Sequence, residues 1–354
     1  MAGPVRLGVI GCGEIAQVMH LRHAAALRPL FSLDAVCDTD PVVLDGVRRG
    51  LGVPAGHLDH RELLATPGLE AVLVLTPGDH GPIVLDALAA GLHVFVEKPL
   101  CYRVKDAEAI VAAAETARRA VVTGYVRLFD PGFRRLRETV TGIPGPKLLD
   151  ATVVLPPDWY YRRHHQVVRP DGWQPPGPRE VWGGSWDYFV DEVLLNLAIH
   201  EVYCIRALVG GRPKLLAARE LLDRRGLHAT WAYGDWSVLL TVLTLAELGG
   251  GYREELRVVT NDGDYTLTLP SAYLDHCPSE LSWTRYEDGG LRTSVQPSSY
   301  ESVFGLELEH FYRCVREGAG GPMMAAGAAL DVGMLHEVQH VVQGNAQTVP
   351  AGAA

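Results

Sequence analysis

A short apolar run, Val5-Arg6-Leu7-Gly8-Val9-Ile10, breaks directly into Gly11-Cys12-Gly13-Glu14-Ile15-Ala16, and a helical pattern then runs through Gln17, Met19 and Leu21 to Leu27. No other feature limits the fold of this chain as much. A buried strand that turns through glycines into a helix belongs in a layered α/β arrangement, because strand and helix must bury their apolar faces against each other. The first glycine allows the tight turn, and the second lets a ligand approach the backbone. The small third residue, Ala16, lets helix and strand pack closely.

The unpaired N–H groups and dipole at that helix start favour phosphate. A second strand, Leu33–Cys37, ends at Asp38, 25 residues beyond Gly13. An acid there accepts hydrogen bonds from an adenosine ribose and repels a 2′-phosphate, so the expected cofactor is NAD, with NADP disfavoured. The alternation continues with a helix over 58–64, a strand over 71–75 ending at Thr76-Pro77, a helix over 81–90, and a strand, Leu92–Val96, ending at Glu97-Lys98-Pro99. A helix over 106–118 and a strand over 120–125 follow. Strands alternating with helices predict a parallel Rossmann-type sheet, whose ligands sit at the carboxyl ends of the strands. The glycine turn, Asp38, Thr76, His80, Lys98 and Tyr125 all fall at such ends.

Lys98 stands out further because the chain has only four lysines (Lys98, Lys105, Lys147, Lys214) against 28 arginines. Of the two residue types only lysine can lose its proton at accessible pH. A lysine kept at a ligand-binding strand end is therefore a candidate acid/base, its pKa expected to fall with burial.

At 354 residues the chain suits two domains. The boundary is expected near 124: a dinucleotide-binding domain over 1–124 and a substrate-binding, oligomer-forming α+β domain over 125–354. A net charge of −10 gives no reason to expect nucleic acid as a partner. No apolar run reaches the length of a membrane span. The first strand begins at Val5, which leaves no room for a leader, and the six scattered cysteines suit a reduced cytoplasmic setting.

Beyond Lys147 extended segments dominate: 148–155, 227–233, 236–243, 252–260 and 265–269. Strands without intervening helices predict a large, mostly antiparallel open sheet. Val190–Val209 reads as one helix, with Asn196 and His200 at i, i+4 on one face. Between them and the first of these strands lies an aromatic, arginine-rich stretch, Trp159-Tyr160-Tyr161-Arg162-Arg163-His164-His165, followed by Trp173, Trp182, Trp186 and Tyr188. Such a stretch suits either a sugar ring or an oligomer arm. No metal is expected. His336-Glu337-Val338-Gln339-His340 has the H-E-x-x-H spacing of zinc proteases, but no ligating side chain follows it, and it reads as part of a closing amphipathic helix.

Gly8-Val9-Ile10-Gly11-Cys12-Gly13-Glu14-Ile15-Ala16, Asp38, Thr76-Pro77 with His80, Glu97-Lys98-Pro99 and Gly124–Pro131 together resemble the Gfo/Idh/MocA oxidoreductases, the glucose-fructose oxidoreductase and inositol dehydrogenase family. The resemblance is strong over 5–131 and weaker beyond. It implies that Gly11, Cys12, Gly13, Glu14, Ile15, Asp38, Thr76, Pro77, His80, Glu97 and Lys98 hold the dinucleotide. It implies that Lys98, His200 and Asn196 are catalytic, with Tyr125 and Arg127 joining them on the substrate. It also implies a cis Lys98–Pro99 peptide and a homodimer or homotetramer paired through the open sheet. The expected activity is an NAD-dependent dehydrogenase acting on a secondary alcohol of a sugar, sugar derivative or cyclitol. Alternatives are a keto-sugar or imine reductase, and a dinucleotide-sensing regulator without catalysis. The family places an acid where this chain has Asn196.

Overall fold

The computed structural model describes residues 3–156, 165–173, 185–245, 251–321 and 324–348. Trp159–His164 and Trp182, part of the aromatic stretch, lie outside the described residues. The chain forms two compact units, one of Met1–Val126, Trp159–Pro175 and Ser302–Val332, the other of Arg127–Asp158, Pro176–Glu301 and Gly333–Ala354.

In the first unit β1 (Val5–Ile10) leads into α1, whose opening Ala16–His20 is π-helical and which continues as Leu21–Ala26. There follow β2 (Phe31–Cys37), α2 (Pro41–Leu51), β3 (Ala55–His57), α3 (His60–Leu64), β4 (Ala71–Val74), α4 (Gly81–Ala89), β5 (His93–Val96), α5 (Val104–Ala117) and β6 (Val121–Thr123). The strands form a parallel sheet in the order β3-β2-β1-β4-β5-β6. Its middle strands are apolar on both faces because helices cover both: Ala71, Val72, Leu73 and Val74 are fully buried, as are Val94, Phe95 and Val96. Local chemistry sets the helix ends. Asp40 caps α2 by accepting from Val42 N and Val43 N, Pro41 fills its first turn, and Gly52 ends it at φ 68°. The strand order reverses between β1 and β4, which places the glycine turn at the crevice where such sheets bind ligands.

The second unit contains α6 (Pro131–Thr141), β7 (Lys147–Leu155) and the long α7, built from Trp186–Tyr188, a π-helical stretch Phe189–Ala198 and Ile199–Val209. Seven more strands follow: β8 (Lys214–Leu221), β9 (Gly226–Tyr233), β10 (Trp236–Thr244), β11 (Arg253–Val259), β12 (Asp264–Thr268), β13 (Glu280–Glu287) and β14 (Gly290–Pro297). Their order is β14-β13-β12-β11-β7-β10-β9-β8, antiparallel throughout except where β7 and β10 run parallel. The predicted fold class, a Rossmann-type parallel sheet plus a mostly antiparallel open one, is the observed one. The predicted single α-helix at 190–209 differs in detail, because Asn196 sits in the π-helical stretch and regular α-geometry resumes only at Ile199. Such a local widening accommodates an extra residue and is frequent at functional sites.

Two further helices, α8 (Val303–Glu317) and α9 (Ala325–Thr348), complete the chain. Ser302 caps α8, and its hydroxyl also meets His23 Nε2 at 2.9 Å. Phe311 of α8 stacks on Phe31 and packs edge-on to Phe95, which fixes α8 in the first unit's core.

Candidate active site

The glycine turn is locked from below and open above. Gly11 has φ 90°, and a Cβ there would stand 2.8 Å from the backbone of Leu75 and Thr76, so only glycine fits. Its N–H donates to Cys37 O at 2.9 Å. Gly13 differs, since a Cβ there would meet nothing within 4 Å. The space over Gly13 is thus clear for a phosphate to approach the backbone. Asp38 Oδ2 accepts from Cys12 N at 2.8 Å and Oδ1 from Asp40 N at 2.9 Å, which fixes the carboxylate beside the turn. Burial and the charge of Asp38 push the Cys12 thiol up to about 12, so it stays protonated. Glu14 and Ile15 are half-buried at the helix start.

Part of the aromatic, arginine-rich stretch, Val168–Trp173, meets this turn within the same unit. Val168 N donates to Gln17 Oε1 at 2.8 Å, and Gln17 Nε2 donates back to Val168 O at 2.9 Å and to Cys12 O at 2.7 Å. Arg169 lies 3.8 Å from Glu14 and stacks over Trp173. The reciprocal amide clamp joins residues 151 positions apart, beyond the reach of any local pattern.

At the ends of β4 and β5 a second group converges. His80 is buried, its Nδ1 2.7 Å from Pro99 O and its Nε2 2.7 Å from Thr76 O. The imidazole thus ties the turn after β4 to the one after β5, while Pro77 is exposed. The Lys98–Pro99 peptide is cis, as expected. Lys98 is half-buried, and its N–H donates to Glu97 Oε2 at 3.0 Å. The other carboxylate oxygen of Glu97 meets His20 Nε2 at 2.6 Å. Burial would raise the Glu97 carboxyl, but the His20 hydrogen bond and the nearby His20 and Lys98 charges hold it below its ordinary value. Tyr125 is fully buried just past β6.

The second unit holds the remaining expected residues. His200 Nδ1 lies 3.0 Å from Tyr203 Oη, which also accepts from Arg127 N at 3.3 Å. Burial pushes the Tyr203 hydroxyl well up, so it remains a phenol. The Arg127 guanidinium is buried against Glu254, with which it pairs, and it donates to Tyr252 Oη at 3.0 Å. Tyr252 in turn donates to Glu254. Asn196 Nδ2 donates to Glu192 Oε2 at 3.1 Å. The structure thus joins His200 to Tyr203 and Arg127, and Asn196 to Glu192. In α9, Glu337 of the H-E-x-x-H sequence pairs with Arg212. Among the described residues no group of three or more His, Cys, Asp or Glu side chains is placed to hold a metal. No described helix is long and apolar enough to cross a membrane.

Known proteins resemble this arrangement. The model of an oxidoreductase family with an NAD-binding Rossmann fold, Gfo/Idh/MocA, matches residues 5–125. Inositol 2-dehydrogenase of Ralstonia nicotianae is 28% identical over 282 residues, 76% of this chain and 75% of that protein. scyllo-Inositol 2-dehydrogenase (NAD(+)) of Bacillus subtilis is 24% identical over 334 residues, 90% of this chain and 88% of its own. A 3-ketoreductase from Actinomadura kijaniata, solved with NADP and TDP-benzene, has the same fold at a TM-score of 0.75 and 20% identity, covering 96% of this chain and 98% of that one. The sheet order and glycine turn define a dinucleotide-binding fold, and the relatives named above are dehydrogenases and reductases. Over residues 5–125 the chain matches the Gfo/Idh/MocA oxidoreductase family.

Proposed function

We propose that this protein transfers a hydride between NAD and a secondary alcohol carbon of a sugar, sugar derivative or cyclitol, with Lys98 as the acid/base. The observation that carries the reading is the position of Lys98. One of four lysines, it stands at the carboxyl end of β5, next to the turns tied by His80 and on the same sheet edge as the glycine turn. The inositol dehydrogenases among its relatives support the substrate class.

The turn's residues suit a dinucleotide: an open approach over Gly13, helix N–H groups for the pyrophosphate, and Asp38 for the adenosine ribose. Glu14, Ile15, Thr76 and Pro77 complete the cofactor's surroundings in this reading. Residues 38–47 carry acids at 38, 40 and 45 and no basic side chain, which favours NAD over NADP. Bound there, NAD supplies the hydride acceptor. Lys98 hydrogen-bonds the reacting hydroxyl and takes its proton as the carbon is oxidised, or returns it when a ketone is reduced. In this reading His200 and Asn196 are catalytic residues and Tyr125 contacts the substrate, while Arg127 donates its backbone N–H to Tyr203, the residue that meets His200.

The test follows nicotinamide fluorescence while inositols, sugars, amino sugars and nucleotide sugars are supplied. Lys98→Met should abolish turnover and keep NAD binding, and near-normal turnover in that variant would sink the mechanism. The presence of Asn196 in place of an acid favours a second reading, a dinucleotide sensor without catalysis. A sensor would bind NADH and never turn it over with any substrate in the screen.

A further inference from the structure

Next to Lys98 three ionisable side chains from three elements converge. His20 comes from α1, the helix that begins at the glycine turn, and is fully buried between the edges of Phe95 and Phe304. Glu97 follows β5, and Glu307 sits on α8 with no exposure and no hydrogen-bond partner for either carboxyl oxygen. Burial and the charge of Glu97 raise the Glu307 carboxyl well above its ordinary value, so it is neutral. A neutral acid on one side and the His20 hydrogen bond on the other leave Glu97 as the carboxylate of the group. The Glu97 carboxylate accepts the backbone N–H of Lys98, and the lysine's charge acts on it.

We propose that His20 is a positioning residue for Lys98: it holds Glu97 as a carboxylate beside the lysine and thereby sets the pH range over which the lysine carries its proton. The inference rests on Lys98 being the acid/base, but it concerns the lysine's ionisation and not its substrate. The charged and titratable groups around Glu97 are His20 from α1, Glu307 from α8 and Lys98 itself, with His80 on the Pro99 carbonyl next along the chain. Because α1 starts at the dinucleotide turn, the same helix connects the cofactor site to the lysine.

Lys98 ionisation can be read without any substrate. The full-length protein is pulse-labelled with an amine-reactive anhydride across a pH series, and each of the four lysines is quantified by peptide mass spectrometry, the other three serving as internal controls. Glu97→Gln removes the neighbouring negative charge, so the labelling midpoint of Lys98 should fall by about one pH unit. His20→Phe strands the Glu97 carboxylate without its partner, favours its protonation, and should shift the midpoint the same way. The double variant should shift no further than Glu97→Gln alone, because His20 acts only through Glu97. Glu307→Gln, which replaces a neutral acid by a neutral amide, should leave the midpoint in place. An unchanged Lys98 midpoint in His20→Phe, additive shifts in the double variant, or a Glu307→Gln shift as large as that of His20→Phe would each overturn the proposal. Should the shifts appear while no sugar or cyclitol is turned over, the functional reading fails and this one stands. Turnover with an unmoved midpoint would uphold the functional reading and overturn the role of His20.

Discussion

Replacing Arg127 by methionine decides whether that residue serves the substrate directly or the fold beneath it. The side chains of Arg127 and Glu254 are only 5% and 4% exposed, so each is the other's compensation for lost hydration. Removing one partner of such a pair leaves a buried charge and costs about 3–5 kcal/mol. Burial raises the Glu254 carboxyl and Arg127 opposes that rise, so without Arg127 the carboxyl climbs further. The sign of the pH dependence follows. A carboxyl whose folded pKa is raised is tolerated while protonated, and stability is lost as pH rises through that folded value. The deficit of Arg127→Met should therefore be largest in alkaline buffer and shrink on acidification, as Glu254 takes up a proton and needs no counterion. Urea unfolding at several pH values, followed by tryptophan fluorescence, measures it. Glu254→Met in the same chain should restore most of the loss, since two apolar side chains of similar volume replace the pair. A loss under about 1 kcal/mol, or a pH-independent one, would refute the reasoning. An intact fold with a raised KM would instead assign the guanidinium to the substrate.

The two glycines of the turn should separate cleanly. Gly11→Ala is expected to destabilise the protein by about 1–3 kcal/mol, from the positive φ and the backbone contact. Gly13→Ala should unfold like the parent yet bind NADH about tenfold more weakly by fluorescence titration, the added methyl standing in the phosphate's path. Asp38→Ser should shift the ratio of NAD to NADP affinity toward NADP by about tenfold, through loss of a charge facing the 2′-phosphate; an unchanged ratio would remove Asp38 from the ribose. Asn196→Asp should introduce a further ionisation into the pH–rate profile, and a superimposable profile would show that this position does not tune proton transfer.

What was legible in the sequence was local. The strand–glycine–helix junction, Asp38, Thr76, His80 and Lys98 are each readable within a few residues, and a parallel sheet puts all of them on one edge. The strands β13 and β14 passed unread because they are largely exposed and carry little apolar alternation. Their junction nonetheless had a signal: Asp288-Gly289 is a two-residue hairpin turn, with φ 50° and 82°. The buried support of Lys98 went unread for a different reason. His20 and Glu97 are 77 residues apart, and Glu307 is more than 200 residues further on, so no spacing links them. Periodicity alone could have marked Glu307, which falls on the same helical stripe as Phe304, Leu308 and Phe311, where a charged residue is out of place.

The exchange of an acid for Asn196 can be followed through to His200. With no carboxylate at that position, the ring is oriented by Tyr203, which accepts the Arg127 N–H and has its own hydroxyl proton to give to Nδ1. Burial holds Tyr203 in its phenol form, so donation from Oη to Nδ1 is one of the two arrangements the 3.0 Å contact allows. A neutral imidazole accepting at Nδ1 carries its hydrogen on Nε2. Such a ring can donate through Nε2 but has no lone pair left with which to take a proton. It could not itself be the base, which is the role the proposed reaction assigns to Lys98. That division of labour gives a physical reason for lysine to remain at position 98 in a chain that uses arginine almost everywhere else.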